Sequence, residues 1–217
     1  MSSTPAPAPR WARTAGRALV ALAFTLAAVR GSAVLDNTYH FGERFSLANV
    51  ETLVADGSLR PANAFYPSLS YLPQAVVLAA SQALHRLTGI AALSVFDPRA
   101  ADGFSRTAYL LCRLLAALYA ALGVLLLHRL ARRLFDPMVA LAAALFLAVT
   151  PAIIVTGSVF KPDILVLTLT VLAFDWAELA LRQPERRRFL RAGAGVGLAV
   201  AAKYTGVGAA LPLVIGG

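Results

Sequence analysis

Two acidic residues at the margins of apolar stretches are the first candidates for chemistry. Glu43 lies shortly after the first apolar stretch, and Asp163 follows Pro162 at the start of a later one. Paired carboxylates can act as general bases or bind a divalent cation such as Mg²⁺ or Mn²⁺. For Asp163 a structural reading weighs equally, because an acid in the first turn of a helix interacts favourably with the helix dipole. His40 would complete a metal pair with Glu43, or is an ordinary loop residue.

Lys203 is a candidate of another kind because it interrupts an apolar stretch. Residues 192–217 carry no other charge, and Lys203 lies twelve residues after Arg191. At 1.5 Å per residue, that spacing places it about 18 Å into a helical span. A lysine so deep in a membrane requires an anionic partner. We expect either a functional site with an anionic partner or a buried pair with a neighbouring helix.

The distribution of charge predicts which of these residues can meet. An apolar segment of about 20 residues spans a bilayer as a helix, and short loops rich in Arg and Lys stay in the cytoplasm. Arginine clusters at 10–17, 129–133 and 182–191 separate the apolar stretches. Residues 36–106 instead carry six acids and five arginines, a net charge of −1. This segment is therefore predicted to be one long extracytoplasmic loop.

The same pattern predicts five crossings with a cytoplasmic N-terminus, at 18–35, 107–127, 138–158, 164–181 and 192–215. Residues 158–163 then share the outer side with the long loop, and Glu178 forms a structural i,i+4 pair with Arg182 near the inner side. A cleavable signal peptide is the alternative for the first span. In the loop, a short helix is expected over 43–55 and an interfacial helix over 68–88.

Composition narrows the class of protein. The 217 residues are 59% hydrophobic and their mean hydropathy is +0.69, which indicates an integral membrane protein. The net charge of +9 sits in short loops between apolar spans, so nucleic-acid binding is not expected. The single cysteine, Cys112, excludes a disulfide within the chain. The prediction is an all-α polytopic protein of the inner (plasma) membrane: residues 1–17 a disordered cytoplasmic N-terminus, residues 18–217 a transmembrane module continuing beyond residue 217.

Five short motifs, in this order, resemble the N-terminal module of the GT-C membrane glycosyltransferases, family 39-like group, which includes protein O-mannosyltransferases and lipid A aminoarabinose transferases. They are Tyr39-His40-Phe41-Gly42-Glu43, Tyr66-Pro67-Ser68-Leu69-Ser70-Tyr71, Arg113 through Arg132-Arg133-Leu134-Phe135, Thr150-Pro151 onward to Asp163, and Ala201-Ala202-Lys203-Tyr204. The resemblance as a whole covers essentially residues 15–217.

The resemblance implies transfer of a hexose or pentose from a polyprenyl-phosphate donor to an acceptor hydroxyl of a protein, lipid or glycan, on the extracytoplasmic side. It implies Glu43 as general base or metal ligand and Asp163 as the second acid. Lys203 would face the donor phosphate, with His40 and Tyr66 also contacting substrate.

One position departs from the family motif: Gly42 stands where the family has Asp. Asp36, six residues before Gly42, is a substitute acid at the end of the first span. The departure favours an alternative, a non-catalytic relative that serves as a membrane scaffold or binding subunit. A transporter is a further alternative, but no pair of Gly/Pro-broken helices indicates a midplane site.

Overall fold

The structure is a computed structural model that describes residues 10–35, 41–56, 66–100 and 102–216. These ranges are helical, and their one β-type pairing is an isolated bridge between Phe96 and Phe104. An all-α fold is thus confirmed. The α-helices are α1 (Arg10–Ala33), α2 (Phe41–Asp56), α3 (Leu72–Thr88), α4 (Arg106–Leu134), α5 (Pro137–Val149), α6 (Pro151–Gly157), α7 (Pro162–Arg182), α8 (Arg186–Ala202) and α9 (Leu211–Gly216). Short 3₁₀ turns cover Ser68–Ser70, Ala91–Leu93 and Tyr204–Ala210.

Helix α4 is the centre of the bundle and packs against α1, α3, α5, α6 and α7. Its buried faces contain small residues, including Ala116, Ala117 and Ala120. Small side chains let helices approach closely in a membrane, where van der Waals packing holds helices together. An added Cβ at Gly157 would lie 2.9 Å from the Cβ of Ala120 and 3.4 Å from that of Ala27. These small residues therefore set the spacing of α1, α4 and α6.

Polar caps and prolines determine where the helices begin. The side chain of Ser105 accepts a hydrogen bond from the N–H of Ala108 at the start of α4. Asp136 does the same for Met138 and Val139 at the start of α5, at 2.8 and 3.1 Å. Helices α5, α6 and α7 each carry a proline at the first position, where its missing N–H loses no helical hydrogen bond. These signals place Asp163 in the first turn of α7.

The two helices expected within the first loop are present as α2 and α3. Helix α2 spans residues 41–56 and α3 spans 72–88, close to the predicted ranges. They share a buried cluster that includes Leu47, Val50, Tyr71 and Leu78, and this cluster extends onto α4 at Tyr109. The loop region is therefore packed on the beginning of α4.

The predicted number of crossings is corrected by the structure. Among the described residues three helices are long and apolar enough to cross a membrane, namely α1, α4 and α7. A fourth crossing arises if α5 and α6 form one span, although they are bent by 58° where Thr150 ends one helix and Pro151 begins the next. Helix α1 begins at Arg10, so residues 10–17, predicted as disordered, are helical.

The fifth predicted crossing, 192–215, is wrong as a continuous helix. Helix α8 ends at Ala202, and Lys203 adopts an extended backbone with φ −160° and ψ 140°. The chain then reverses and brings Gly206 against the last turn of α8. An added Cβ at Gly206 would lie only 2.2 Å from the backbone oxygen of Ala199. Further on, Gly216 lies against Leu181 near the end of α7. No proline or glycine stands at position 203 itself, so the length of the apolar stretch predicted an unbroken span.

The two ends of the bundle differ in charge. The basic end comprises the last turns of α4 and α7 and the first turns of α8, with Arg129, Arg132, Arg133, Arg182, Arg186, Arg187, Arg188 and Arg191. The opposite end, here the site end, carries the first turns of α4 and α7, the break at Lys203, and helices α2 and α3.

Candidate functional site

Asp163 and Lys203 form an ion pair at the site end. The Nζ of Lys203 lies 2.6 Å from Oδ1 of Asp163. Asp163 occupies the first turn of α7, and Lys203 caps the C-terminus of α8. The break in the helix after Ala202 lets the lysine side chain reach across to α7. The local backbone at residue 203 thus creates the pair.

Tyr66 completes this cluster. Its ring centroid lies 5.8 Å from the Nζ of Lys203, within the range of a cation–π contact. The 3₁₀ turn Ser68–Ser70, two residues further on, packs against α8 and so holds the tyrosine over the lysine. Three residues that the sequence predicts for the site, namely Tyr66, Asp163 and Lys203, are therefore brought together.

The pair remains accessible from solvent. The side chain of Asp163 is 37% exposed and that of Lys203 is 24% exposed. Helix α8 is continuous from Arg186 to Ala202, so Lys203 lies about 18 Å along its axis from Arg191, and the ion pair brings the lysine level with the first turn of α7. A partly exposed cation and a partly exposed carboxylate can contact a phosphate and a hydroxyl.

Glu43 has a different environment. Its side chain is fully buried, and its two carboxylate oxygens accept hydrogen bonds from Arg113, from Nε at 2.9 Å and from Nη2 at 2.8 Å. The backbone N–H of Phe160 donates to Oε1 at 2.8 Å. Such a two-pronged guanidinium–carboxylate contact is among the strongest polar interactions in proteins. The carboxylate of Glu43 is engaged on several sides, and no acceptor hydroxyl reaches it in this arrangement.

The pair connects four parts of the chain. Arg113 lies on α4, Glu43 on α2, and Phe160 in the turn before α7, while Arg113 Nη1 donates to the backbone oxygen of Gly31 on α1 at 2.9 Å. An added Cβ at Gly31 would lie 3.0 Å from the backbone oxygen of Ser158, so α1 approaches the same turn closely. The network therefore holds the turn that leads into Asp163.

Glu43 and Asp163, the two predicted acids, lie in the same region of the bundle, but their carboxylates do not face a common ligand. Phe160, whose N–H binds Glu43, precedes Asp163 by three residues. Three residues span at most about 11 Å, which keeps the backbone of Asp163 within roughly 14 Å of the Glu43 carboxylate. Each carboxylate has its own cationic partner. His40 and Asp36 lie outside the described residues.

Sequence reasoning missed the partnership of Arg113 with Glu43, although one signal was present. Arg113 is the single charged residue between positions 107 and 127. A charge inside an apolar span calls for a partner, and the loop acids were the available anions. By contrast, the predicted pair of Glu178 and Arg182 is confirmed, and Asp175 joins it through Arg133, which contacts both acids.

The donor set of the described residues does not fit a divalent cation. They contain no group of three or more His, Cys, Asp or Glu side chains that could hold a metal. The carboxylate of Glu43 is neutralised by Arg113, and that of Asp163 by Lys203. A cation bridging these acids stays a prediction of the sequence.

Comparison with known proteins identifies a family. Residues 104–215, just over half of the chain, match the family model described as dolichyl-phosphate-mannose-protein mannosyltransferase. The matched segment contains Arg113, Asp163 and Lys203, whereas Glu43 and Tyr66 precede it. No curated protein and no solved structure matches the chain.

Proposed function

Because the chain belongs to the dolichyl-phosphate-mannose-protein mannosyltransferase family, we propose that it transfers a sugar from a polyprenyl-phosphate donor to an acceptor hydroxyl. Family membership makes it a membrane glycosyltransferase of the GT-C type. The finer assignments, which are the donor, the acceptor, the reacting residues and the side of the membrane, are our proposal. We place the reaction at the site end, on the extracytoplasmic side, because the arginine clusters lie at the opposite end of the bundle.

The observation that carries the proposal is the accessible pair of Asp163 and Lys203. Transfer from a phosphate carrier needs a group that accepts the proton of the attacking hydroxyl and a cation that stabilises the departing phosphate. The two side chains supply these groups within 2.6 Å of each other. Tyr66 covers the lysine and offers a ring on which a sugar can pack.

In the proposed reaction the acceptor oxygen attacks the anomeric carbon from the face opposite the phosphate. A new carbon–oxygen bond forms while the bond from the anomeric carbon to the phosphate oxygen breaks, which inverts the configuration. The hydroxyl proton passes to the carboxylate of Asp163, and the bonding electrons leave with the polyprenyl phosphate. Lys203 neutralises the added negative charge. Donor binding would draw Lys203 toward the phosphate and release Asp163 for its role as base.

Glu43, the base expected from the resemblance, takes a positioning role in this proposal. Its carboxylate is buried and bound by Arg113 and by the N–H of Phe160. Accepting a proton there would require the guanidinium to leave. We assign Glu43 to holding the Phe160 turn, and through it the start of α7, in place.

The test is sugar transfer by the full chain in membranes supplied with polyprenyl-phosphate sugars. Asp163→Asn should lower kcat/KM by about 10²–10⁴-fold, the usual effect of losing a general base. Lys203→Gln should lower it as well, and Lys203→Arg should restore part of the loss. The matched control is Lys161→Gln, which removes the neighbouring lysine two residues from Asp163 and should leave transfer unchanged. Full transfer by Asp163→Asn would refute the assignment.

A second candidate function, a non-catalytic scaffold, is favoured by Gly42 in place of the family Asp. It predicts that the wild-type chain transfers nothing from any polyprenyl-phosphate sugar, whereas Gly42→Asp creates transfer. The transferase proposal predicts instead that the wild-type chain transfers sugar and that Gly42→Asp does not increase this transfer. Gly42 immediately precedes the buried Glu43, so an added carboxylate there would repel an existing one.

A further inference from the structure

A cavity of about 410 Å³ lies at the basic end, between α4, α7 and α8. Along α7 it is thirteen residues from Asp163 to Trp176, or about 20 Å at 1.5 Å per residue. The cavity is therefore separate from the candidate active site. Its lining residues are Arg129, Trp176, Leu179, Glu185, Arg187, Arg188 and Arg191.

The lining carries an excess of positive charge. Four arginines face a single acid, Glu185, which pairs with Arg188 at 3.3 Å. Arg129 lies 3.4 Å from the buried Asp175. Among the residues that the structure describes, Arg187 and Arg191 have no acidic partner. Two guanidinium groups are thus available to an anion from outside the chain.

The cavity also has an apolar wall. Arg187 and Arg191 are four residues apart and project from one face of α8. Trp176 and Leu179 line the cavity from the facing helix α7. On α8, Leu190 is 62% exposed beside the arginines, where a lipid chain would lie. A ligand that fits has a compact anionic group joined to an apolar body.

We infer that this cavity binds the phosphate headgroup of an anionic lipid. Arginine forks match phosphate oxygens in pairs, and basic pockets between helices at a membrane surface recognise anionic headgroups. Tryptophan favours the same interfacial level because its ring is apolar and its N–H is polar. The chemistry recognised is a phosphate ester. The source is a bilayer lipid rather than a soluble phosphate, because the wall of Trp176 and Leu179 would otherwise face only water.

The experiment uses Trp176 as the reporter in the full chain reconstituted in nanodiscs. Trp11→Phe leaves Trp176 as the single tryptophan. Brominated phosphatidylglycerol should quench its fluorescence at lower mole fraction than brominated phosphatidylcholine. Replacing Arg187 and Arg191 together by Gln should weaken the preference by about fivefold per arginine. The matched control replaces Arg132 and Arg186, which carry the same charge at the same end but do not line the cavity.

The control distinguishes specific binding in the cavity from general electrostatic attraction to an anionic membrane surface. Retention of the preference in the Arg132/Arg186 variant, with loss in the Arg187/Arg191 variant, supports the inference. Equal loss in both variants, or equal quenching by the two lipids in the parent, would overturn it. An excess of inorganic phosphate that displaces the brominated lipid would assign the cavity to a soluble phosphate and overturn the lipid source. Native mass spectrometry of the wild-type chain measures lipid retention independently. Phosphatidylglycerol should remain bound after phosphatidylcholine dissociates.

Discussion

Arg113 and Glu43, seventy residues apart, form a buried ion pair in which the guanidinium meets both carboxylate oxygens. The arginine side chain is 1% exposed and the glutamate side chain 0%. The pair links distant parts of the chain. It joins α2 to α4, and it reaches the start of α7 through Phe160 and α1 through Gly31.

Removing one partner of this pair should destabilise the protein. Glu43→Gln leaves the Arg113 charge buried without compensation, which typically costs about 3–5 kcal/mol of folding free energy. The thermal unfolding midpoint in detergent should fall clearly. The matched control is Glu51→Gln on the same helix, whose exposed side chain should be replaceable with little effect. If Glu43→Gln abolished transfer with no loss of stability, the residue would act directly in the reaction.

The chain reversal after Lys203 should depend on the small size of Gly206. Gly206→Ala would bring a methyl group 2.2 Å from the Ala199 backbone oxygen, so the reversal must shift, at a cost of about 1–3 kcal/mol. Gly208→Ala, in the same 3₁₀ segment, meets nothing within 4 Å and is the control. Unfolding midpoints of the two variants measure the difference. Identical midpoints would mean that residues 204–216 do not fold back on α8.

Two glycines of α8 should respond in opposite directions to alanine. At Gly195 an added Cβ would lie 3.0 Å from the Cα of Ala173 on α7, so Gly195→Ala pushes the helices apart. At Gly197 nothing lies within 4 Å, and Gly197→Ala gains helix propensity of about 1 kcal/mol. Chemical or thermal unfolding should rank Gly197→Ala above the parent and Gly195→Ala below it. The opposite ranking would contradict the packing of α7 on α8.

The orientation in the membrane is tested by cysteine labelling of intact cells after Cys112→Ala. Arg99→Cys, in the exposed part of the first loop, should react with an impermeant reagent, because this loop is predicted outside. Arg186→Cys, at the basic end, should react only after the membrane is opened. Labelling of Arg186→Cys alone in intact cells would invert the topology and move the proposed reaction to the cytoplasmic side.

The sequence predicted most of the helices because their signals are local. Residues 107–127 and 164–181 are apolar over the length of a bilayer, and Asp136, Pro137 and Pro162 mark helix starts. The arginine clusters at 129–133 and 182–191 predicted that these segments lie at the same end of the bundle. The i,i+4 spacing of Glu178 and Arg182 predicted their pair. Each of these features depends on residues close together in the chain.

The features that escaped prediction depend on distant contacts. No proline or glycine stands at position 203 itself, and the break is accompanied by the ion pair with Asp163, forty residues away, and by the contact of Gly206 with α8. Likewise, the contact of Arg113 with the carboxylate of Glu43 joins residues seventy positions apart. The grouping of Tyr66 with Lys203 was expected only through the family resemblance, since spacing alone does not bring these positions together.

The separations of the two ion pairs along the chain impose an order on assembly during synthesis. Glu43 can bind Arg113 as soon as α4 has entered the membrane, and the N–H of Phe160 then closes over the completed pair. Asp163 must wait until α8 has been made before Lys203 arrives. The nascent chain can therefore form the Arg113–Glu43 pair before Lys203 has been made and can reach Asp163.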